Sequence, residues 1–320
     1  MTWLQIRLYL LMAAMFGILY GVIVAIGSYM GVGSVLLYII LAVVFTFFQF
    51  LIGPAMVGWT MKVKLVSEKE EPELHQMVSE LARQAKMPKP KVGISELSIP
   101  NAFAYGSFDS RVAVTRGILN LLKKDELKAV LGHELSHIRH RDVVVMTMLA
   151  VVPLILYWIA MSIMWGGMGR DRRGNAGYAV LIGVMALVLY FIANLMVLYA
   201  SRIREYYADL GSVRMGNKPQ HMATALYKLV YGNARLKDSP ELKRVQGAKA
   251  FFINDPSRAW DEIRDLKSLD ADLSGTIDSG ELINLRQRKV KLGFADKLME
   301  VSSTHPNMLK RIKHLSSLVV

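Results

Sequence analysis

The chain has 320 residues, of which 53% are hydrophobic and only 20% charged, with a formal net charge of +13. That is too apolar for an ordinary soluble domain and too charged for a disordered one, so a soluble globular enzyme, a coiled coil and a nucleic-acid binder of the usual kind are excluded. The absence of cysteine excludes disulfides, thiolate-bound zinc, iron–sulfur clusters and thiol nucleophiles.

Charged residues and histidine are missing from three long stretches, 8–61, 143–169 and 174–201. A membrane core about 30 Å thick takes ~20 apolar residues as helix, so the first stretch holds two spans and the others one each. The first span covers 8–26, too long for the apolar region of a signal peptide and therefore retained. Gly27, Gly31 and Gly33 form a turn. The second span covers 35–58 and carries Pro54, which kinks a helix. Residues 62–142 then read as a compact polar block. Helical spacing of Leu74, Val78 and Leu81 predicts a helix over 70–86. Lys91–Ser95 and Arg111–Thr115 are short β-rich runs, and 101–107 is a third candidate. Asp125 caps a helix that continues to Asp142, with Glu126 in its first turn. Spans at 143–165 and 178–200 form a hairpin around a polar loop at 170–175, and 202–320 is mostly helical. The organisation is therefore two spans (1–61), a first soluble part (62–142), a membrane hairpin (143–201) and a second soluble part (202–320).

Arg7, Lys62, Lys64, Arg139, Arg141, Arg202 and Arg204 flank the spans on the side of the soluble parts, against Arg170, Arg172 and Arg173 on the other. This bias puts the soluble parts in the cytoplasm. It also accounts for the basic balance without nucleic acid.

His133-Glu134-Leu135-Ser136-His137 is an H-E-x-x-H sequence on a predicted helix. Residues four apart share a helical face, so both imidazoles reach one metal ion. Glu134 stands where it can take a proton from an attacking water. A catalytic zinc needs a third protein ligand. A third histidine at position 143 would supply it in one variant of this motif, but Val143 stands there. Glu205 is the candidate ligand, and Asp209, one turn later, can accept the other ring N–H of a zinc histidine. His140 is a rival, but it lies too far along the helix axis and reads as a solvated flank. His75, His221 and His314 have no motif around them and are expected at the surface.

With these motifs in order, the chain resembles the HtpX-type membrane zinc peptidases, in the gluzincin family that also holds the Ste24 prenyl-protein proteases. The likeness rests on 100–106 (Pro-Asn-Ala-Phe-Ala-Tyr-Gly), 111–117, His133 to His137, Glu205 to Asp209, and Ser303-Thr304-His305-Pro306 followed by Arg311. It implies an α+β fold: a small sheet packed on the zinc helices, with about four transmembrane helices. It implies one zinc ion per chain on His133, His137 and Glu205, and Glu134 as general base. Asn101 would hold substrate backbone, and His305 and Arg311 would stabilise the oxyanion. The implied activity is hydrolysis of misfolded membrane proteins or peptides in stress-linked quality control at the cell membrane, with the site facing the cytoplasm. Rival readings are a Ste24-like protease of lipidated peptides and a non-catalytic, calcium-responsive membrane scaffold. The first needs more spans than this chain supplies. The second is opposed by an intact Glu134.

One segment departs from the family pattern. Residues 270–281 fit a twelve-residue EF-hand loop, with oxygen donors Asp270, Asp272, Ser274, Asp278 and Glu281, the Thr276 carbonyl, and Gly275 at the sixth position. Helical patterns flank it on both sides. Leu273 is unusual in such a loop, and no partner hand is visible, both of which weaken calcium affinity.

Overall fold

The structure, a computed structural model, describes residues 14, 15, 18, 22, 32–170, 176–236, 239, 252, 253, 259–266, 269–288 and 293–319. Most of the first expected span and the loop at 171–175 lie outside them. The chain divides into two compact units, one of Met1–Ile52 with Val144–Ile203, the other of Gly53–Val143 with Arg204–Val320.

Among the described residues three helices are long and apolar enough to cross a membrane: α1 (Val32–Thr60), α5 (Asp142–Arg170) and α6 (Ala176–Arg214). Helix α1 takes in Gly33, which the sequence assigns to a turn, and Pro54 lies inside it. In the first unit α5 and α6 pack through repeats of seven. Leu149, Leu156 and Ile163 on α5, with Val152 and Ile159, cluster with Ala186, Ala193 and Ala200 on α6. Small residues on one helix let the backbones approach, as membrane helix pairs require. At Gly183 an added Cβ would sit 2.8 Å from Met164 Cγ. The outer faces of the pair leave Met148, Trp158, Leu181, Phe191 and Leu195 exposed, which suits lipid and not water.

The second unit is built on a four-stranded sheet of order β1-β2-β4-β3, from β1 (Val63–Leu65), β2 (Lys91–Ser95), β3 (Ala102–Tyr105) and β4 (Arg111–Thr115). Strand β2 runs parallel to β4, while β1 and β3 are antiparallel to their neighbours. Alternation sorts the side chains to two faces. Val92, Ile94, Ala102, Val112 and Val114 join the main core, whereas Phe103, Tyr105 and Ala113 pack with Val57 and Met61. Helix α2 (Pro72–Gln84) lies on the first face, with Leu74, Val78 and Leu81 inward and Pro72 in its first turn. His75, expected at the surface, is buried on the same side, and its Nε2 meets the Val66 carbonyl at 3.0 Å.

A short α3 (Arg116–Leu121) leads to α4 (Lys124–Arg139), the helix of the H-E-x-x-H sequence. Two expectations about α4 change. Its N-cap is Lys123, not Asp125, because Glu126 reaches back to accept the Lys123 N–H at 2.9 Å. It also stops at Arg139, since Arg141 adopts a left-handed φ of 52° and Asp142 opens α5. After α6 come α7 (Pro219–Arg235), α8 (Ala259–Leu266), α9 (Ser279–Gln287), α10 (Phe294–Val301) and α11 (Met308–Ser316). Helix α7 packs on α4, α8 and α11 through Met222, Leu226, Leu229 and Val230.

Candidate metal centre

The centre depends on how closely the end of α6 approaches α4. A Cβ added at Gly211 would fall 2.0 Å from Ser136 Oγ, and one at Gly132 would fall 2.8 Å from Ser212 Oγ. Only glycine permits that approach, which the Ser212 hydroxyl fastens by donating to the Ala129 carbonyl at 2.6 Å. His133 and His137 on α4 thereby meet Glu205 on α6. The two Nε2 atoms are 3.1 Å apart. Glu205 Oε2 lies 3.5 Å from His133 Nε2, and Oε1 lies 3.7 Å from His137 Nε2. Tetrahedral zinc with bonds of 2.0–2.1 Å separates its ligand atoms by about 3.3–3.4 Å. The three donors bracket that value and fit a divalent metal.

Both imidazoles are held from behind. His133 Nδ1 is 2.9 Å from Asp209 Oδ1. Asp209 is gripped by Arg311, whose Nε donates to Oδ2 at 3.0 Å and whose Nη2 donates to Oδ1 at 2.7 Å. His137 Nδ1 is 2.7 Å from Asp142 Oδ2, and Asp142 is ion-paired with Arg204. A carboxylate at each Nδ1 keeps the proton there and turns the Nε2 lone pair inward. Burial works against a charged His133, but Asp209 and Glu205 outweigh it and carry its pKa up to about 9, so a cation binding at Nε2 must displace a proton from it. Burial and the neighbouring His133 push His137 down to about 4.

Glu134 is buried beside the pair, and its Oε2 accepts the Ala104 N–H of β3 at 2.8 Å. Burial raises its pKa above the ordinary carboxylate value. Strand β3 is an edge of the sheet. Asn101 faces inward, its carbonyl accepting from Thr115 N, and the register turns the backbone of Ala102 and Ala104 outward beside Glu134. His305 is 6% exposed, and its Nδ1 lies 3.5 Å from Glu205 Oε1. Neither of its ring nitrogens has a hydrogen-bond partner among the described residues. His140 is exposed at the end of α4, its Nδ1 on the Ser136 carbonyl, away from the donors. His314 is half-buried, edge-on to Tyr206, and not a surface residue as expected; burial lowers its pKa.

Both side chains expected to meet substrate also bond within the protein. Arg311 is fully buried, and beyond Asp209 its Nη1 reaches Glu205 Oε2 at 3.0 Å and the Ile253 carbonyl at 2.9 Å. The Asn101 side-chain oxygen accepts the Ile253 N–H at 3.2 Å. Asn101 and Arg311 thus clasp the two sides of one residue of the chain itself. Reading the sequence alone missed Asp142, Arg204 and Ile253. The only available signal for Asp142 was an aspartate five residues after His137.

A second group of acidic oxygens lies in the loop before α9. Donor atoms of Asp270, Asp272 and Glu281 come within 4.8 Å of one another. Asp270 accepts from Ser274 N and Gly275 N, each at 2.9 Å, and from the Tyr227 hydroxyl at 3.1 Å. Glu281 accepts from Ala271 N at 2.6 Å and Asp278 N at 3.0 Å. Ser274 and Thr276 meet through their hydroxyls at 2.9 Å. Gly275 takes the left-handed conformation with φ 76°. The backbone of Ile277 is bonded on both its N–H and its C=O to the Thr224 hydroxyl of α7.

Residues 68–319 match the model of peptidase family M48. A protein named Protease HtpX homolog from Methanothermobacter thermautotrophicus is 51% identical over 232 residues, covering 72% of this chain and 87% of that one. Another of that name from Thermoplasma acidophilum is 34% identical over 320 residues, covering 95% and 94%. The crystal structure of S. mikatae Ste24p is similar in fold, with a TM-score of 0.50 and 17% identity; the match covers 97% of this chain and spans 65% of that one.

Proposed function

Because the chain belongs to peptidase family M48 and resembles proteins named as HtpX proteases, we propose that it is a zinc endopeptidase with its ion on His133, His137 and Glu205. The observation that carries this reading is the donor geometry: two Nε2 atoms and a carboxylate converge while both Nδ1 atoms are committed to aspartates. When bound, such an ion acidifies water and polarises a carbonyl.

Glu134 takes the proton of the attacking water and returns it to the amine as the peptide C–N bond breaks. The Ala104 N–H holds its carboxylate in position meanwhile. An extended substrate segment adds to the outer edge of β3 through the outward-turned backbone of Ala102 and the Ala104 carbonyl, the Ala104 N–H being held by Glu134. His305 faces Glu205 through Nδ1 and donates from Nε2, which has no hydrogen-bond partner among the described residues, to the carbonyl oxygen as it gains charge. We assign Arg311 to holding Glu205 and Asp209, and Asn101 to holding Ile253, in place of direct contact with substrate. The basic flanks support a cytoplasmic site, and the exposed apolar helices support membrane proteins or their released segments as substrates. Quality control of misfolded membrane proteins is the physiological role this fits. We also read the 270–281 loop as a weak calcium site, on the spacing of its donors.

The test is hydrolysis of an unfolded membrane protein by the full chain in detergent, with metal stripped by a chelator and zinc then restored. Activity should vanish and return. Hydrolysis that persists after complete removal of metal, or a purified chain that retains no metal, overturns the reading.

A further inference from the structure

The metal-facing nitrogen of His137 must be aimed by something, and the H-E-x-x-H sequence contains nothing that can do so. In the structure the aiming group is Asp142, whose Oδ2 lies 2.7 Å from His137 Nδ1. Its other oxygen is ion-paired with Arg204, and Arg204 Nη2 also donates to the His140 carbonyl at 3.2 Å. Arg204 is 5% exposed. We infer that Asp142 and Arg204 form a positioning pair, which fixes the tautomer and direction of His137 and thereby sets how tightly the centre holds its metal. The inference rests on the zinc reading above and deepens it.

The local chain conformation makes this contact possible. Five residues further along an unbroken helix, position 142 would be rotated about 140° from His137 and would point elsewhere. The chain instead ends α4 at Arg139, passes through Arg141 at φ 52°, and restarts at Asp142. Left-handed backbone is strained for an arginine, and such strain persists only where the surroundings enforce it. Here the break swings the Asp142 carboxylate back onto the imidazole.

Arg204 ties that carboxylate to the rest of the centre. It directly precedes Glu205, so one turn of α6 carries both the third ligand and the clamp on Asp142. A shift of α6 that moved Glu205 would also move Arg204, and His137 would lose its alignment together with its partner ligand. The arrangement repeats on the His133 side, where Asp209 orients the ring and Arg311 grips Asp209. Each histidine therefore has its own aspartate, and each aspartate its own arginine. The His137 set is the more open one, with side-chain exposures of 18% for His137 and 13% for Asp142, against 1% for His133 and 0% for Asp209. Water can compete for the Asp142 contact, so Arg204 is needed to hold the carboxylate in place.

The experiment compares the parent full chain in detergent with Asp142→Asn, Asp142→Ala, Asp142→Glu and Arg204→Gln. Zinc affinity is measured by competition with a chromophoric chelator, and the ligand field by the visible spectrum after cobalt substitution. Partners of this kind typically change metal affinity by 10–100-fold. Asp142→Ala should fall in that range. Asp142→Asn, which still accepts the Nδ1–H without the charge, should fall less, and Asp142→Glu should recover part of the loss. Arg204→Gln should weaken zinc in the same direction. The cobalt spectrum should change in each weakened variant, and melting of the chelated chain should hold close to the parent for the isosteric Asp142→Asn. Parent-like zinc affinity and an unchanged cobalt spectrum in both Asp142→Asn and Asp142→Ala overturn the inference. So does a fall in melting of chelated Asp142→Asn large enough to account for its weaker binding. A parent chain that binds no zinc would instead defeat the metal reading itself.

Discussion

Among the described residues two groups of side chains could hold a cation, and they are built on opposite plans. His133, His137 and Glu205 come from two helices far apart in sequence, are buried or nearly so, and present donor atoms that face one another. Asp270 and Asp272 come from one short loop and Glu281 from the first turn of α9 directly after it, and all three accept hydrogen bonds from the loop's own N–H groups. In the low dielectric of the interior, converging donors are costly unless something fixes them from behind. That explains the pair of aspartates and the pair of arginines. The loop needs less bracing, because its own backbone satisfies most of its carboxylate oxygens, with the Tyr227 hydroxyl of α7 adding a bond to Asp270. The helical centre should therefore fail as a unit when one brace is removed, whereas the loop should be separable from the rest.

The largest effect should come from the one acid at the first centre that is neither ligand nor brace. Glu134→Gln removes the proton acceptor and leaves His133, His137 and Glu205 unchanged. We expect hydrolysis to fall by about 10²–10⁴-fold at unchanged metal content. Turnover near that of the parent, with zinc still bound, would show that the proton goes elsewhere.

Next come the braces and the close helix approach. Asp209→Asn leaves the fully buried Arg311 without its principal anion, and breaking a buried pair typically costs about 3–5 kcal/mol. Both melting temperature and metal content should drop together, as expected of a unit. Gly211→Ala forces a methyl group into Ser136, and overpacking of this kind typically costs about 1–3 kcal/mol. Its diagnostic outcome is loss of metal at a stability still sufficient to fold, because the added methyl separates Glu205 from the histidines. If Gly211→Ala binds zinc like the parent, the spacing of α4 and α6 does not set the centre.

The same contrast explains what could be read from the sequence. Strands β2 and β4 lie where their alternating β-branched residues put them, at Lys91–Ser95 and Arg111–Thr115. The donor clusters of the 270–281 loop and of His133 with His137 were legible because their residues are close in sequence. Strand β1 was hidden: three residues directly after a membrane helix carry no period. Asp142 was hidden because its role depends on the break at Arg141, and a continuous helix was the simpler reading of an unbroken helix-forming run. Arg204 looked like a membrane flank, since nothing local marks it as buried. Arg311 and Asn101 were found by likeness to a family, but their partner Ile253 lies in a segment with no pattern of its own. The long reach between elements, not the chemistry of the residues, is what the sequence conceals.

The smallest expected effect tests the other side of the comparison. If the loop is separable, calcium should stabilise the protein without touching the centre at His133, His137 and Glu205. Binding must exchange existing bonds for new ones. Glu281 now accepts from Ala271 N and Asp278 N, and a bidentate grip on calcium would take its oxygens from both. Asp270 likewise accepts from Ser274 and Gly275. That exchange, and Leu273 exposed at φ 57°, argue for weak affinity. On the other side, Thr224 already holds both backbone groups of Ile277, so part of the loop is ordered before calcium arrives. Mass action then gives about 0.4 kcal/mol when free calcium equals the dissociation constant and about 2.7 kcal/mol at 100 times that value. Melting of the zinc-loaded chain should therefore rise with calcium into the millimolar range, and Glu281→Ala should abolish the rise while leaving hydrolysis by Glu134 intact. A chain indifferent to calcium over that range, or a Glu281→Ala variant that responds like its parent, would reduce the loop to a self-satisfied polar insertion. A calcium effect that also altered zinc affinity would break the comparison itself, because the two groups would then be coupled through α7 and α11.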